Sequence, residues 1–404
     1  MTSRPQRVAV VGGGLAGLAA ALELVDRRHE VVLHEARPTL GGAVQTLPER
    51  EGDPPPPPDN GQHIALGCFT AYRRLLARIG KSDALHREPL RLPVIDERGR
   101  VATIAPGLRL LGYTHLPLRS RVRIARDALR QRGLTPAAVA ERTYADVLNA
   151  SAEEIDRFWD VFIRPALNLS AREAGADYGV FTVQTAFFGG RGASDLLLPR
   201  EPLGEMHGNA AARALGDRVR LDSRVERLDD LDADAIVVAT SPHEAARLLE
   251  REPPALEDSP IVSVHLLFDR RLLGHRLAAL LGSPAHWVFD RGALTGNEPP
   301  QGQYLTVVSS GVPDLLEIRG RTLVDTMADA LRERLGEAEL LWSRVSREPR
   351  ATFAARPGTR NLRWPMSTSR PNVLLAGAWT ASDWPATMEA AVRSGVRAAE
   401  ALVP

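Results

Sequence analysis

Apolar positions cluster early. Residues 8–11 form a short β-branched run, residues 15–27 carry alanine and leucine at helical spacing, and residues 31–34 are apolar again. This pattern predicts strand, helix, strand. From residue 71 to about 200 the spacing predicts mostly helix, with helices over 119–132 and 151–163. The second opens on the capping-box sequence Ser151-Ala-Glu-Glu154. Strand patterns return at 219–221, 235–239, 261–268, 286–289 and 304–309, which predicts a second sheet in the middle of the chain. Residues 373–376, Gly377 and a helix over 387–402 then repeat the strand-glycine-helix order of the beginning. Between the two ends, Glu51-Gly52-Asp53 and the prolines 54–58 exclude helix and inner strand and predict an exposed loop of polyproline character.

Length and composition add two constraints. A chain of 404 residues is long for one core and suits two lobes. Its composition, 44% hydrophobic and 25% charged with a net charge of +1, is that of an ordinary globular protein and gives no electrostatic reason to expect nucleic acid. The single cysteine, Cys68, excludes an intrachain disulfide and a cysteine metal cluster; no metal is expected. Arg4 and Arg7 ahead of the apolar residues 8–25 imitate an export signal, but Gly12-Gly13-Gly14 would break its helix and Glu23 opposes it. A cytoplasmic protein is expected, with peripheral contact to the inner face of the cytoplasmic membrane as an option.

Chemistry enters at the first strand-to-helix junction. Gly12-Gly13-Gly14-Leu15-Ala16-Gly17 is a G-x-G-x-x-G loop, where bare backbone can approach a pyrophosphate and the helix N–H groups face it. Glu35, followed by Ala36, ends the next strand eighteen residues past Gly17, where a carboxylate can accept from ribose hydroxyls. Gly41 and Gly42 then let the chain pass close to the second half of a long dinucleotide, which favours FAD over NAD. The expected fold is therefore α/β: a discontinuous Rossmann-like FAD-binding domain over 1–75, 205–250 and 346–404. A substrate domain over 76–204 and 251–345, α+β with a helical part that could face a membrane, completes it.

This order of motifs resembles the amine oxidase and carotenoid desaturase superfamily of FAD enzymes. Within it, Asp59-Asn60-Gly61-Gln62-His63, followed by Gly67 and Tyr72, resembles the squalene-associated branch, the hydroxysqualene dehydroxylases. Gly377-Ala378-Trp379-Thr380 and the segment 384–395 resemble the flavin-closing end of the same branch. The chain departs from the superfamily pattern at Ala43, where arginine is common, and at Ala378, where aspartate is common. The resemblance implies flavin contacts at Gly61, Gln62, His63, Val225, Ala239, Gly377 and Ala378. Thr387, Met388 and Glu389, at the start of the last helix, are expected at the flavin edge.

The activity implied is reductive removal of the hydroxyl of hydroxysqualene, a lipophilic isoprenoid, with hydride from the N5 atom of reduced FAD. His63 is the expected acid for hydroxide departure; a structural imidazole is the equal alternative. Phe158, Trp159, Phe162, Phe181, Phe187, Phe188 and Trp287 are candidates for an apolar tunnel or for plain core. Six arginines interleaved with apolar residues over 115–132 could rest on an anionic bilayer or simply face water. A carotenoid or polyprenoid desaturase, an amine oxidase and a flavin-binding module without catalysis remain as rivals.

Overall fold

The computed structural model describes residues 5–402; Arg4, part of the export-signal reading, lies outside them. In chain order the first strands are β1 (Arg7–Val11), β2 (Glu30–His34), β3 (Ala65–Leu66), β4 (Leu85–Glu88), β5 (Leu92–Ile95), β6 (Val101–Ile104) and β7 (Leu196–Pro199). Then follow β8 (Val219–Arg220), β9 (Ala235–Val238), β10 (Asp258–Phe268), β11 (Leu277–Leu280) and β12 (Trp287–Asp290). The last are β13 (Gln303–Ser310), β14 (Leu340–Phe353) and β15 (Val373–Leu375). Three early helices matter for the site: α1 (Leu15–Asp26), α2 (Thr70–Arg78) and α3 (Leu118–Gln131).

The fold is α/β. A five-stranded parallel sheet, ordered β15-β9-β1-β2-β8, joins the two ends of the chain. Val8 to Val11 are all buried, as a central parallel strand covered on both faces requires. α1 is buried nearly all round because it lies between this sheet and the C-terminal helix Met388–Ala401. That helix approaches so closely that a Cβ on Gly395 would sit 2.0 Å from the Ala16 carbonyl oxygen, which only glycine tolerates.

A mixed seven-stranded sheet, ordered β14-β10-β13-β12-β11-β5-β6, forms the second layer, and β3, β7 and β4 make a small antiparallel sheet between. The expected strands at 261–268, 286–289 and 304–309 correspond to β10, β12 and β13.

Three local expectations need correction. Residues 71–200 carry helices near the expected 119–132 and 151–163, but four strands that were not expected, β4 to β7, fall among them; each is four residues long, too short to show a period, and two carry proline. β14 has no strand pattern, because Arg347, Pro349 and Arg350 break it, yet it pairs along β10 as an edge strand with its register shift next to Pro349. It also runs unbroken through the expected boundary at 345–346. Finally, Pro54, Pro56 and Pro58 are buried and not exposed, and within this segment the Pro57 carbonyl accepts from the buried Arg291 at 3.0 Å.

Candidate functional site

The groove begins where β1 hands over to α1. Gly12 has φ +106°, and a Cβ there would stand 2.6 Å from the Ala239 carbonyl oxygen. A Cβ on Gly17 would stand 1.8 Å from the Gly12 oxygen, so helix and strand can meet only without side chains. Gly14 caps α1 with no side-chain bond, which leaves the first N–H groups of the helix free. Beside it, the Gly41 N–H donates to the Gly13 oxygen at 2.8 Å, and Gly14 pairs with Gly41 as an isolated parallel bridge. At Gly14 itself an added Cβ would meet only Gly42 Cα, at 3.9 Å. A bare, electropositive slot results.

Glu35 stands at the end of β2. One carboxylate oxygen accepts from the Gly13 N–H at 2.7 Å and the other from the Arg37 N–H at 2.9 Å. Each oxygen keeps lone pairs for a hydroxyl partner. The chain after β8 returns alongside, with the Ser223 N–H donating to the Glu35 carbonyl at 2.9 Å. Val225 is buried and gives its carbonyl to Arg247 at 2.7 Å.

From Leu15 and Gly41 a cavity of about 420 Å³ runs inward. Gly61, Gln62, His63, Ala378, Thr387 and Met388 line it. Phe162, Phe181, Phe187, Trp287 and Phe289 line it as well. Four of the seven expected tunnel aromatics are therefore present, whereas Phe158 and Trp159 pack in the core and Phe188 lies under Arg132.

The segment 59–63 is anchored from behind. Asp59 and Arg291, each 1% exposed, form an ion pair at 2.7 Å, and Thr46 and the Leu203 N–H donate to the other Asp59 oxygen at 2.7 and 2.9 Å. Arg291 also donates to Gln62 Oε1 at 2.9 Å. That bond forces the Gln62 amide nitrogen to the opposite side, where it is buried without a partner. Asn60 accepts from Ser346 at 2.6 Å and donates to the Ala43 carbonyl at 3.3 Å. His63 is half-buried against the cavity, and burial lowers its imidazole to about 4, so it is neutral at pH 7.

The sequence pattern of flavin containing amine oxidoreductases matches residues 15–403. The chain belongs to that family. It is 27% identical to a hydroxysqualene dehydroxylase of Sinorhizobium fredii (strain NBRC 101917 / NGR234), over 98% of each chain. It is 29% identical to one of Rhodopseudomonas palustris (strain ATCC BAA-98 / CGA009), over 97% of each. Cyclohexylamine oxidase from Brevibacterium oxydans IH-35A shares the fold, with a TM-score of 0.72 at 20% identity over 99% of both chains.

FAD is the cofactor, and the chain is an FAD-dependent oxidoreductase. The slot at Gly12–Gly17, the Glu35 carboxylate and the cavity edge at Thr387–Met388 fit its three parts: pyrophosphate, ribose and flavin ring. Among the described residues no arginine lines the cavity at Ala43, and the uncapped start of α1 is a positive group next to the slot.

Sequence reasoning missed two arginines and misjudged one glutamate. Arg363, 4% exposed, donates to the carbonyls of Ala378 (2.9 Å), Thr380 (2.6 Å), Ser382 (2.9 Å) and Trp384 (2.8 Å) and so holds the loop after Gly377. Arg291, described above, does the same for 57–62. Both stand far in sequence from what they hold, and no local signal marks them. Glu389 is corrected: its carboxylate caps α2, accepting from the N–H groups of Ala71 (3.0 Å) and Tyr72 (2.8 Å) and from Arg393 (2.7 Å), and does not face the cavity. Thr387 caps the last helix through the Ala390 N–H at 3.2 Å and does line the cavity, as does Met388.

Proposed function

We propose that the protein removes the hydroxyl of hydroxysqualene reductively to give squalene. The observation that carries this reading is the cavity: it is walled mainly by aromatic and aliphatic side chains, with Asn60, Gln62 and His63 as one polar group of its lining and Asn168, Ser310, Glu348 and Thr352 as another. In this reading the isoprenoid lies among Phe162, Phe187, Trp287 and Phe289, with its carbinol at His63. The two full-length relatives of that name support the same substrate.

FAD in its reduced form supplies a hydride. In balance, the alcohol gains a hydride and a proton and releases water. The chain's part is to exclude water, orient the carbinol and ease loss of its oxygen. His63, neutral at rest, donates an N–H hydrogen bond to the carbinol oxygen and passes a proton from solvent, rather than acting as a standing imidazolium. The aromatic faces favour positive charge on the allylic carbon.

We assign the pyrophosphate to Gly12, Gly14, Leu15, Ala16, Gly17, Gly41 and Gly42, and the ribose to Glu35 and Ala36. The flavin goes to Gly61, Gln62, Ala239, Gly377, Ala378, Thr387, Met388 and the backbone N–H of Glu389, and the adenine to Val225. The domain division at 75–76, 204–205 and 250–251 belongs to this proposal, with the last boundary moved past β14. We also place a membrane-facing patch at Leu108, Leu111 and Leu118, which are exposed by 86%, 40% and 58% beside Arg109 and Arg119.

Incubating the FAD-loaded protein with a reductant and hydroxysqualene, and with oxidised flavin and phytoene in parallel, tests the reading by mass spectrometry. Squalene from the first mixture supports it; a phytoene product two hydrogens lighter, without squalene, overturns it in favour of a desaturase.

A further inference from the structure

Glu348 is the only charged side chain lining the cavity among the described residues, apart from the titratable groups His63 and Cys68. It lies on β14 opposite Ile261 of β10, whose other neighbour is Ser310 of β13; all three line the cavity. Its carboxylate is half-buried and makes no hydrogen bond or ion pair with any described residue, although arginine abounds in the chain. An unpaired carboxylate against apolar walls is costly unless a ligand answers it. A second electron-rich group on the same wall also lacks a donor. Asn168, 3% exposed, spends its amide nitrogen on the Ser259 carbonyl (2.9 Å) and Thr352 Oγ1 (3.2 Å), and leaves Oδ1 buried and unpartnered.

Resting on the dehydroxylase reading, we propose that Glu348 is the counter-charge for positive charge on the ligand, a catalytic carboxylate that stabilises the allylic cation. When the C–O bond breaks, its electron pair leaves with the oxygen, which takes a proton and departs as water. The allylic carbon stays positive until hydride from reduced FAD reaches it. A fixed negative charge in a water-poor cavity lowers the energy of that state more than that of the neutral alcohol.

The test is binding, not turnover. Squalene and a squalene analogue carrying a tertiary ammonium at the carbinol position are titrated into FAD-loaded wild type and E348Q, with binding read from the visible flavin band. A short α,ω-diamine is titrated alongside. The expected result is that wild type prefers the ammonium analogue over squalene by on the order of tenfold, and that E348Q loses this preference while keeping its affinity for squalene. E348Q should melt no lower than wild type, since it removes an unpaired, half-buried charge and no hydrogen bond, so loss of fold does not confuse the comparison. A preference retained in E348Q, or absent in wild type that does bind squalene, overturns the assignment of Glu348 and leaves the function standing. Wild type that binds neither isoprenoid overturns both. Binding of the short diamine alone, lost in E348Q, overturns both in favour of an amine substrate.

Discussion

Arg363 donates into a loop that closes the flavin site, and the cost of removing it is set by what it leaves behind. Arg363→Met would strand buried carbonyls of Ala378, Thr380, Ser382 and Trp384 without donors. Leaving a buried polar group without its partner costs about 1–3 kcal/mol. We expect a Tm lower by several degrees and FAD lost on gel filtration; a variant that retains both would show that the loop holds itself. His63→Gln tests the other end of the site: a dehydroxylation rate at least tenfold lower with normal FAD content is expected, and an unchanged rate would make the imidazole structural. At this scale the sequence reveals which segment matters but not how each residue serves. The stretch 59–63 stands out as a motif, yet Asp59 is an anchor and not a ligand group, because its partner Arg291 is more than two hundred residues away. Glu389 misleads for the same reason: a glutamate in the first turn reads as a dipole or flavin contact, whereas its carboxylate serves α2, some three hundred residues earlier.

Among elements, β1, α1 and β2 were legible because each carries its own period and the glycines between them mark the turns. Gly17 is the most demanding of these positions, since any side chain would enter the Gly12 carbonyl. Gly17→Val is expected to abolish FAD binding, and often folding, by separating α1 from β1; a flavin-loaded variant would contradict the packing. β14 was illegible because polar and charged residues run through it and Pro349 interrupts it: Pro349 and Arg350 are exposed while Arg344 is buried against Asp53, and pairing with β10 decides the conformation against local preference. On α3, the apolar and basic residues left both a membrane and a water-facing reading open. In the structure Arg123 is taken by Glu154 and Arg130 by Asp127, and the most exposed large apolar side chain, Leu108, lies ahead of the helix, with exposed Leu118 at the helix's first position. Leu108→Glu combined with Leu118→Glu is expected to reduce co-sedimentation with anionic vesicles at least several-fold and leave Tm within about 2 °C. Equal sedimentation would remove the patch.

Over the whole molecule, buried histidines tie stability to pH. Burial lowers His207 to about 4 and His265 to about 3. The His207 ring must donate from Nδ1 to the Leu203 carbonyl, so its Nε2 accepts from the Tyr72 hydroxyl. Because these groups titrate near 6.5 when unfolded, the unfolded chain binds protons first as pH falls. Their contribution is full above about 6.5 and is lost toward about 4, at up to about 1.4 kcal/mol per pH unit for each histidine. Tm should fall steadily from pH 6.5 to 4.5; a flat profile would mean that these rings are not kept neutral by the fold. The two-ended α/β architecture was readable because both ends repeat strand, glycine and helix. The second layer was only partly so, since its strands are held by partners distant in sequence. The most direct measurement of the central claim is an anaerobic titration of the photoreduced, FAD-loaded protein with hydroxysqualene, following flavin reoxidation and hydrocarbon together. The account predicts one squalene formed for each flavin reoxidised; a flavin that stays reduced in the presence of excess hydroxysqualene would contradict it.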